Sequence, residues 1–226
     1  FKPESIKDKE TFRPHVHTGL SGIEGLDDQT RRDRAAAEER FLRSYPFHPD
    51  LTDVFYQKWT NLESFQRTRG ILRTFAIALR DAEKWDGAPL VSANVFLAAP
   101  GQTGISEAAR ELTTVAATEE YEGKRQEWGG VLSGELEKAR SIQDELGTLR
   151  YRELEEAVFA TFVHSQPVGQ KAQLRDLSVL VGATRPSRID LDKALLRWTD
   201  ESWFLDEEAI ADAGTGAGGE KLVPRT

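Results

Sequence analysis

The chain has 226 residues, of which 38% are hydrophobic and 30% charged, with a formal net charge of −8. This is the balance of a folded chain with a wet surface, long enough for one large domain or two small ones. The acidity argues against indiscriminate nucleic-acid binding, and the absence of cysteine excludes disulfides, thiolate nucleophiles and cysteine zinc sites.

Residues 1–39 are set apart as an irregular entry segment, since over 1–28 Pro3, Pro14, Gly19, Gly22 and Gly25 interrupt any long helix. QTRRDRAAAEERFLRSY (29–45) reads as a helix rich in Ala, Glu and Arg, stopped by Pro46 and Pro49. Pro49 suits the first turn of a new helix, with Asp50 and Asp53 at its positive end. Leu51, Val54, Phe55 and Trp59 give that helix one apolar face. A longer helix is expected from Ser64 to about Trp85, with Phe65, Leu72, Phe75, Leu79 and Ala82 as its stripe and Asp86, Gly87 and Pro89 as its stop. LVSANVFLA (90–98) fits a short strand and a buried helical turn equally well.

Residues 104–147 hold ten acidic and five basic residues. Their glycines at 123, 129, 130 and 134 imply two helices or more, with the charges on a solvated face. Residues 40–147 are thus expected to form a helical domain and 148–226 a second unit. In the latter, Tyr151, Leu154, Val158 and Phe162 mark one helix. Leu174, Leu177 and Val181 mark another, ended by Gly182. A third, capped by Asp190, carries Leu191, Leu195 and Trp198. SWFLDE then reads as a strand, AGTGAGGE as a hairpin tip and KLVPRT as the returning strand, although LVPRT also looks like a protease-cleavable tag. Three helices followed by a hairpin is the order of a winged helix-turn-helix. The expected fold class is therefore mainly α, closed by a C-terminal β-hairpin.

Few motifs carry chemistry. GTGAGGEKL (214–222) resembles a phosphate loop, but Glu220 would repel a triphosphate and Leu222 replaces the magnesium-binding hydroxyl. His15 and His17 form an H-x-H pair without the spacing of a metal helix, and no nucleophile elbow is present. The arginines stand out. Arg69, Arg73 and Arg80 share one face of the helix after Ser64, and Arg67 lies in its first turn. The 64–85 segment holds five cations against two acids. Arginines at a helix start oppose the macrodipole unless an anion joins them. Spacing alone leaves two readings open: surface ion pairs, for instance with Glu63 or Asp81, or a phosphate site.

YPFHPDL (45–51) followed by FQRTRGILR (65–73) resembles a family of bacterial and archaeal P-loop ATPases that includes the BrxC and PglY components of phage-defence systems. KRQEWGGVLSGELEKA and FVHSQP…SWFL resemble the same family more weakly, so that the likeness runs from about Arg40 onward. It implies a helical AAA+-like lid followed by a winged helix, in a cytoplasmic ATPase that uses ATP and Mg2+. Both nucleotide-binding motifs of that family lie upstream of the YPFHP block and are missing here, so this segment alone is not expected to hydrolyse ATP. The opening Phe1 and the lack of methionine likewise read as a segment of a longer protein. The resemblance further implies that Arg69 or Arg67, with Arg73 in reserve, contacts the nucleotide's γ-phosphate when the lid closes. The implied partners are the remainder of the ATPase chain, defence-system proteins or DNA, and no membrane, since no apolar run approaches the ~18 residues of a span.

Two alternatives belong to other classes: a non-enzymatic helical module whose arginine face binds an acidic protein, and a winged-helix DNA-binding regulator. The third helix of the latter is acidic, with Asp190, Asp192, Asp200 and Glu201 against Lys193 and Arg197, which disfavours a duplex. Lys171, Arg175, Arg185 and Arg188 are the cations left to meet DNA backbone phosphates.

Overall fold

The computed structural model describes residues 9–116, 120–121, 124–125, 128–167, 170–202 and 221–222. Among these the architecture is mainly α. The helices are α1 (Lys9–Leu26), α2 (Asp28–Arg32), α3 (Arg34–Ser44), α4 (Pro49–Gln57), α5 (Thr68–Ala82), α6 (Glu107–Ala116), α7 (Trp128–Leu146), α8 (Glu153–His164), α9 (Leu174–Val181) and α10 (Arg188–Glu201). Four short 3-10 turns (Trp59–Asn61, Glu63–Phe65, Ala93–Phe96 and Gly182–Thr184) and two antiparallel ladders of two residues each complete the described set. One joins β1 (Glu120–Tyr121) to β2 (Lys124–Arg125). The other joins β3 (Ala172–Gln173) to β4 (Lys221–Leu222), with Ala172 opposite Leu222. The expected SWFLDE strand and glycine-rich tip fall beyond Ser202 and lie outside the described residues.

Helix α8 sits at the centre because its sequence, ELEEAVFATFVH, has apolar residues on every side, and all twelve of its residues are buried. One apolar core surrounds it, running from Leu51 through Phe75, Phe96, Leu112, Leu136, Phe159 and Leu180 to Trp198. That core crosses residue 147 without a break. Phe55, Phe75, Phe96 and Phe159 form a chain of rings with centroids 5.1–5.6 Å apart, within the range where aromatic pairs attract. The expected face of α4 is present: Leu51, Val54, Phe55 and Trp59 are all buried, and Pro49 occupies the first turn.

The described part of the entry segment, from Lys9 onward, is not irregular. Residues 9–26 form an 18-residue helix despite Pro14 and three glycines. Proline inside a helix costs about 3 kcal/mol and each glycine about 0.5–1 kcal/mol. Against this, Val16, Leu20 and Ile23 are fully buried in a second cluster with Phe41, Leu90, Val179 and Ala183. Burying such side chains yields about 1.5–3 kcal/mol each, enough to offset the breakers. One of these glycines, Gly22, meets a glycine from the far part of the chain, Gly182. A Cβ on Gly22 would stand 2.0 Å from the Gly182 carbonyl oxygen, and one on Gly182 would stand 2.9 Å from Ile23 Cα. The two backbones meet where only hydrogen fits.

Three further expectations change. Helix α5 begins at Thr68 instead of Ser64, and Leu72, placed in its apolar stripe, is 68% exposed, while Ile71, Phe75, Ala78 and Ala82 are buried. The residue count between Phe65 and Leu72 assumed one continuous helix, and the interruption at Gln66 and Arg67 shifts the phase. Gly129, Gly130 and Gly134 lie inside α7 instead of breaking it. Ser187, not Asp190, caps α10, accepting the Asp190 amide at 3.4 Å. Residues 90–98, left open between a short strand and a buried helical turn, hold a piece of each. Val91 bridges Phe47, and Ala93–Phe96 makes a 3-10 turn.

Replacing Gly22 with Ala is expected to lower stability by about 1–3 kcal/mol in urea unfolding, since the new methyl group must push apart two buried backbones. Gly25→Ala, which meets nothing within 4 Å, is expected to be neutral or to stabilise by about 0.5–1 kcal/mol.

Candidate functional site

The YPFHPD block is a structural clasp. The Val91 amide donates to the Pro46 carbonyl and the His48 amide to the Val91 carbonyl, both at 2.8 Å. His48 is fully buried against Phe41, and its Nδ1 accepts the Asp50 amide at 3.2 Å, capping α4. Burial drives the His48 pKa down to about 4, so the ring is neutral at pH 7. Asp50 and Asp53 both accept from Arg40 on α3, at 2.9 and 2.6 Å. The block thus fixes α3, α4 and the Val91 segment to one another.

The chain between α4 and α5 is pinned by aromatics and strained at its polar end. Trp59 donates its indole N–H to the Val163 carbonyl at 3.0 Å, and Phe65 packs against Phe55 and Trp59. With Phe65 held inside, Gln66 and Arg67 must turn the chain outward, at φ 57° and 53° respectively. Two successive side-chain-bearing residues at positive φ are rare, and each costs about 1–3 kcal/mol. Gly70 permits the turn: a Cβ there would lie 1.7 Å from the Phe65 carbonyl oxygen. Helix α5 then starts without a side-chain cap.

The four arginines singled out from the sequence divide into two sets. Arg67 and Arg69 are exposed, and neither has a hydrogen-bond or ion-pair partner among the described residues. Arg73 is taken by Glu111 on α6 through a bidentate contact, Nη2 to Oε1 at 2.7 Å and Nε to Oε2 at 3.2 Å. Arg80 is held by Asp81 and Glu107, each at 2.8 Å. Hydrogen bonding to these acids raises the pKa of both arginines. The two readings left open by spacing therefore apply to different residues. Arg73 and Arg80 are surface ion pairs, while Arg67 and Arg69 stand unpaired beside the free N–H groups of a helix start.

The cations proposed to meet DNA are largely engaged. Arg175 makes a two-pronged contact with Asp27, at 2.9 and 3.0 Å, and Arg185 donates to the Thr18 carbonyl at 3.2 Å. Arg188 lies 3.8 Å from Asp192, and Lys171 is exposed. Among the described residues no group of three or more His, Asp or Glu has a metal-binding arrangement, and no helix is long and apolar enough to cross a membrane.

Sequence reasoning missed the buried acids at the start of α8. Glu153, Glu155 and Glu156 are all 1% exposed. Burial pushes the Glu155 carboxyl up, but Arg152 and Arg140 outweigh it and hold the group ionised below its usual range. Arg152 Nη2 and Arg140 Nη2 reach Oε1 at 2.8 and 2.9 Å, and Gln143 donates to Oε2 at 2.6 Å. Glu156 has no such partners. Its Oε1 accepts the Asn94 amide at 3.3 Å and its Oε2 is unpaired. Burial, reinforced by Glu153 and Asp86, raises its pKa to about 8, so it is mostly protonated at pH 7. The signal lay in RELEEAVFATFVH: acids in the first turn of a helix with no polar face.

A carboxyl whose pKa is higher in the folded than in the unfolded state stabilises fully below its unfolded pKa and loses that contribution as pH rises through its folded pKa. The Glu156 contribution is thus expected to fade between about pH 4.5 and 8, with a limiting slope of about 1.4 kcal/mol per pH unit. Glu156→Gln, permanently neutral, is expected to remove that slope in urea unfolding at stepped pH, becoming more stable than the parent above pH 8. Comparison with protein-family models, curated proteins and solved structures finds no match to this chain.

Proposed function

We propose that the chain is the lid and winged-helix portion of a P-loop, AAA+-like ATPase of the BrxC/PglY type, coupling nucleotide state to a partner protein or DNA in bacterial phage defence. One observation carries this reading: Arg67 and Arg69 project unpaired from an uncapped, strained helix start. An approaching phosphate there would meet backbone N–H groups, a favourable macrodipole and two guanidinium forks. ATP and Mg2+ would be held mainly by residues upstream of this segment, as the resemblance implies. Arg73, being engaged by Glu111, is removed from the expected set. The order α8–β3–α9–α10–β4, with β3 paired to β4, supports the winged-helix reading of the second unit. Nucleotide binding can move such a lid only by the difference in its affinity for closed and open states.

The second reading, a helical module for an acidic partner, is favoured by Leu72, which stands 68% exposed between Arg69 and Arg73. A DNA-binding regulator is less well supported, because Arg175, Arg185 and Arg188 are already engaged.

The two leading readings separate in a titration of the intact protein with a non-hydrolysable ATP analogue. Loss of one charge-assisted contact predicts a weakening of about tenfold for Arg69→Ala or Arg67→Ala and little change for Arg73→Ala. Unchanged affinity in both of the first two variants would discard the nucleotide reading in favour of the interaction module.

A further inference from the structure

The second half of α5 and the segment after it enclose an open cleft of about 530 Å³. Its apolar walls are Ala76, Leu79, Val91 and Val95, and its charged groups are Arg80, Glu83 and Asp86. Arg80 is committed to Asp81 and Glu107. Asp86 is different. It is half-buried, its Oδ1 accepts the Ala88 amide at 3.0 Å and the Asn94 side-chain amide at 2.8 Å, and no cation among the described residues is paired with it. Burial pushes its carboxyl up, the consequence of an acid taken partly out of water without a counter-charge.

The groups behind it are also incomplete. Asn94 is 3% exposed and its Oδ1 has no donor, although its amide nitrogen is fixed on Asp86. The neighbouring Trp85 indole N–H has no acceptor, and Glu156, which senses the Asp86 charge, is held mostly neutral. Buried polar atoms are normally satisfied, so a cluster of orphaned ones beside a cleft marks a place where a partner is wanted. At the cleft wall itself the unmet demand is that of Asp86, a carboxylate with no paired cation among the described residues, next to aliphatic surface.

We propose that this cleft binds an alkylammonium group, with the ammonium against Asp86 and the aliphatic body along Leu79, Val91 and Val95. An ammonium supplies three donors and one positive charge, which suits a carboxylate held in place by two donors and lacking a counter-charge. A guanidinium would add a rigid planar fork, and the single unpaired carboxylate edge gives it no second partner. The ammonium can belong to a free amine or to a lysine side chain of another protein; the chemistry at Asp86 is the same. Arg80 and Glu83, of opposite sign at the rim, leave the inner charge of Asp86 to set the preference.

The test titrates the whole chain with n-pentylammonium chloride, n-pentanol and Nα-acetyl-lysine methylamide, following backbone amide shifts by NMR. Saturable shifts centred on residues 79–95 are expected for both ammonium probes and not for pentanol. Tighter binding of pentylammonium assigns the cleft to free amines, and tighter binding of the lysine derivative to protein lysines. Asp86→Asn keeps an oxygen for the Ala88 and Asn94 donors, and is expected to weaken both by about tenfold or more. Leu79→Lys, which places a tethered ammonium in the cleft, is expected to block them, and Arg69→Ala to leave them unchanged. Pentanol matching pentylammonium, or Asp86→Asn titrating like the parent, would overturn the proposal.

Discussion

The interaction on which the fold depends is the capture of the Glu155 carboxylate by Arg140, Arg152 and Gln143. Helix α8 cannot form the centre of the molecule unless its acidic first turn goes inside with the rest. An unpaired buried carboxylate costs several kcal/mol, comparable with the whole stability of a domain. Arg152 is placed to prevent this by its own backbone, which adopts the left-handed conformation at φ 64° just before the helix. The same side chain donates to the Ala98 carbonyl at 2.6 Å and lies over the Trp85 ring at 5.5 Å. One guanidinium therefore neutralises the helix, ties down the segment leaving the 3-10 turn and covers the aromatic end of the α5 region.

The three acids of that turn show how neighbours, not burial alone, decide ionisation. All are equally hidden, yet Glu155 is held ionised while Glu153 and Glu156 are pushed toward the neutral form. Two guanidiniums serve Glu155. Glu153 receives the Thr184 hydroxyl and backbone amides, that of Tyr151 among them, but no paired cation among the described residues. A second fully ionised carboxylate beside Glu155 would need another buried cation, and among the described residues Arg140 and Arg152 are both already paired with Glu155. Protonating Glu156 removes the conflict.

Much of the architecture was legible in the sequence. Short periodic segments with clear caps and stops, such as Pro49 to Trp59, were read correctly because the local pattern and the tertiary contacts agree. The failures lie where tertiary contact overrides local preference. Pro14, Gly19 and Gly22 look like breakers, and only the proximity of Gly182, some 160 residues away, shows why glycine is needed in that helix. Leu72 was assigned to the core because nothing in FQRTRG announces two positive-φ residues. The arginine site was half legible. Residue type and spacing brought out Arg67, Arg69, Arg73 and Arg80, and the resemblance pointed to the first three, but the partner that removes Arg73 sits on α6, 38 residues away. Asp86 gave no signal at all, since its isolation from cations is a property of space, not of sequence.

The two candidate sites lie toward opposite ends of α5, and the way that helix is mounted bears on both. Exposed ion pairs such as Arg73–Glu111 and Arg80–Glu107 contribute little free energy by themselves. Their value is geometric, since they set the rotation of α5 against α6. The holding force comes from Ile71, Phe75, Ala78 and Ala82, which are buried on the opposite side. A helix clamped along its length moves as a unit, so the backbone that carries Arg69 is already ordered and engaging an anion costs mainly side-chain freedom. The positive-φ turn is the exception. It is the one point near α5 where the chain stores strain, and it lies directly beside those two arginines. A motion that relaxes Gln66 and Arg67 would therefore reorient the guanidiniums without disturbing the core, whereas one that shifts the far end of α5 would have to break the packing of Phe75.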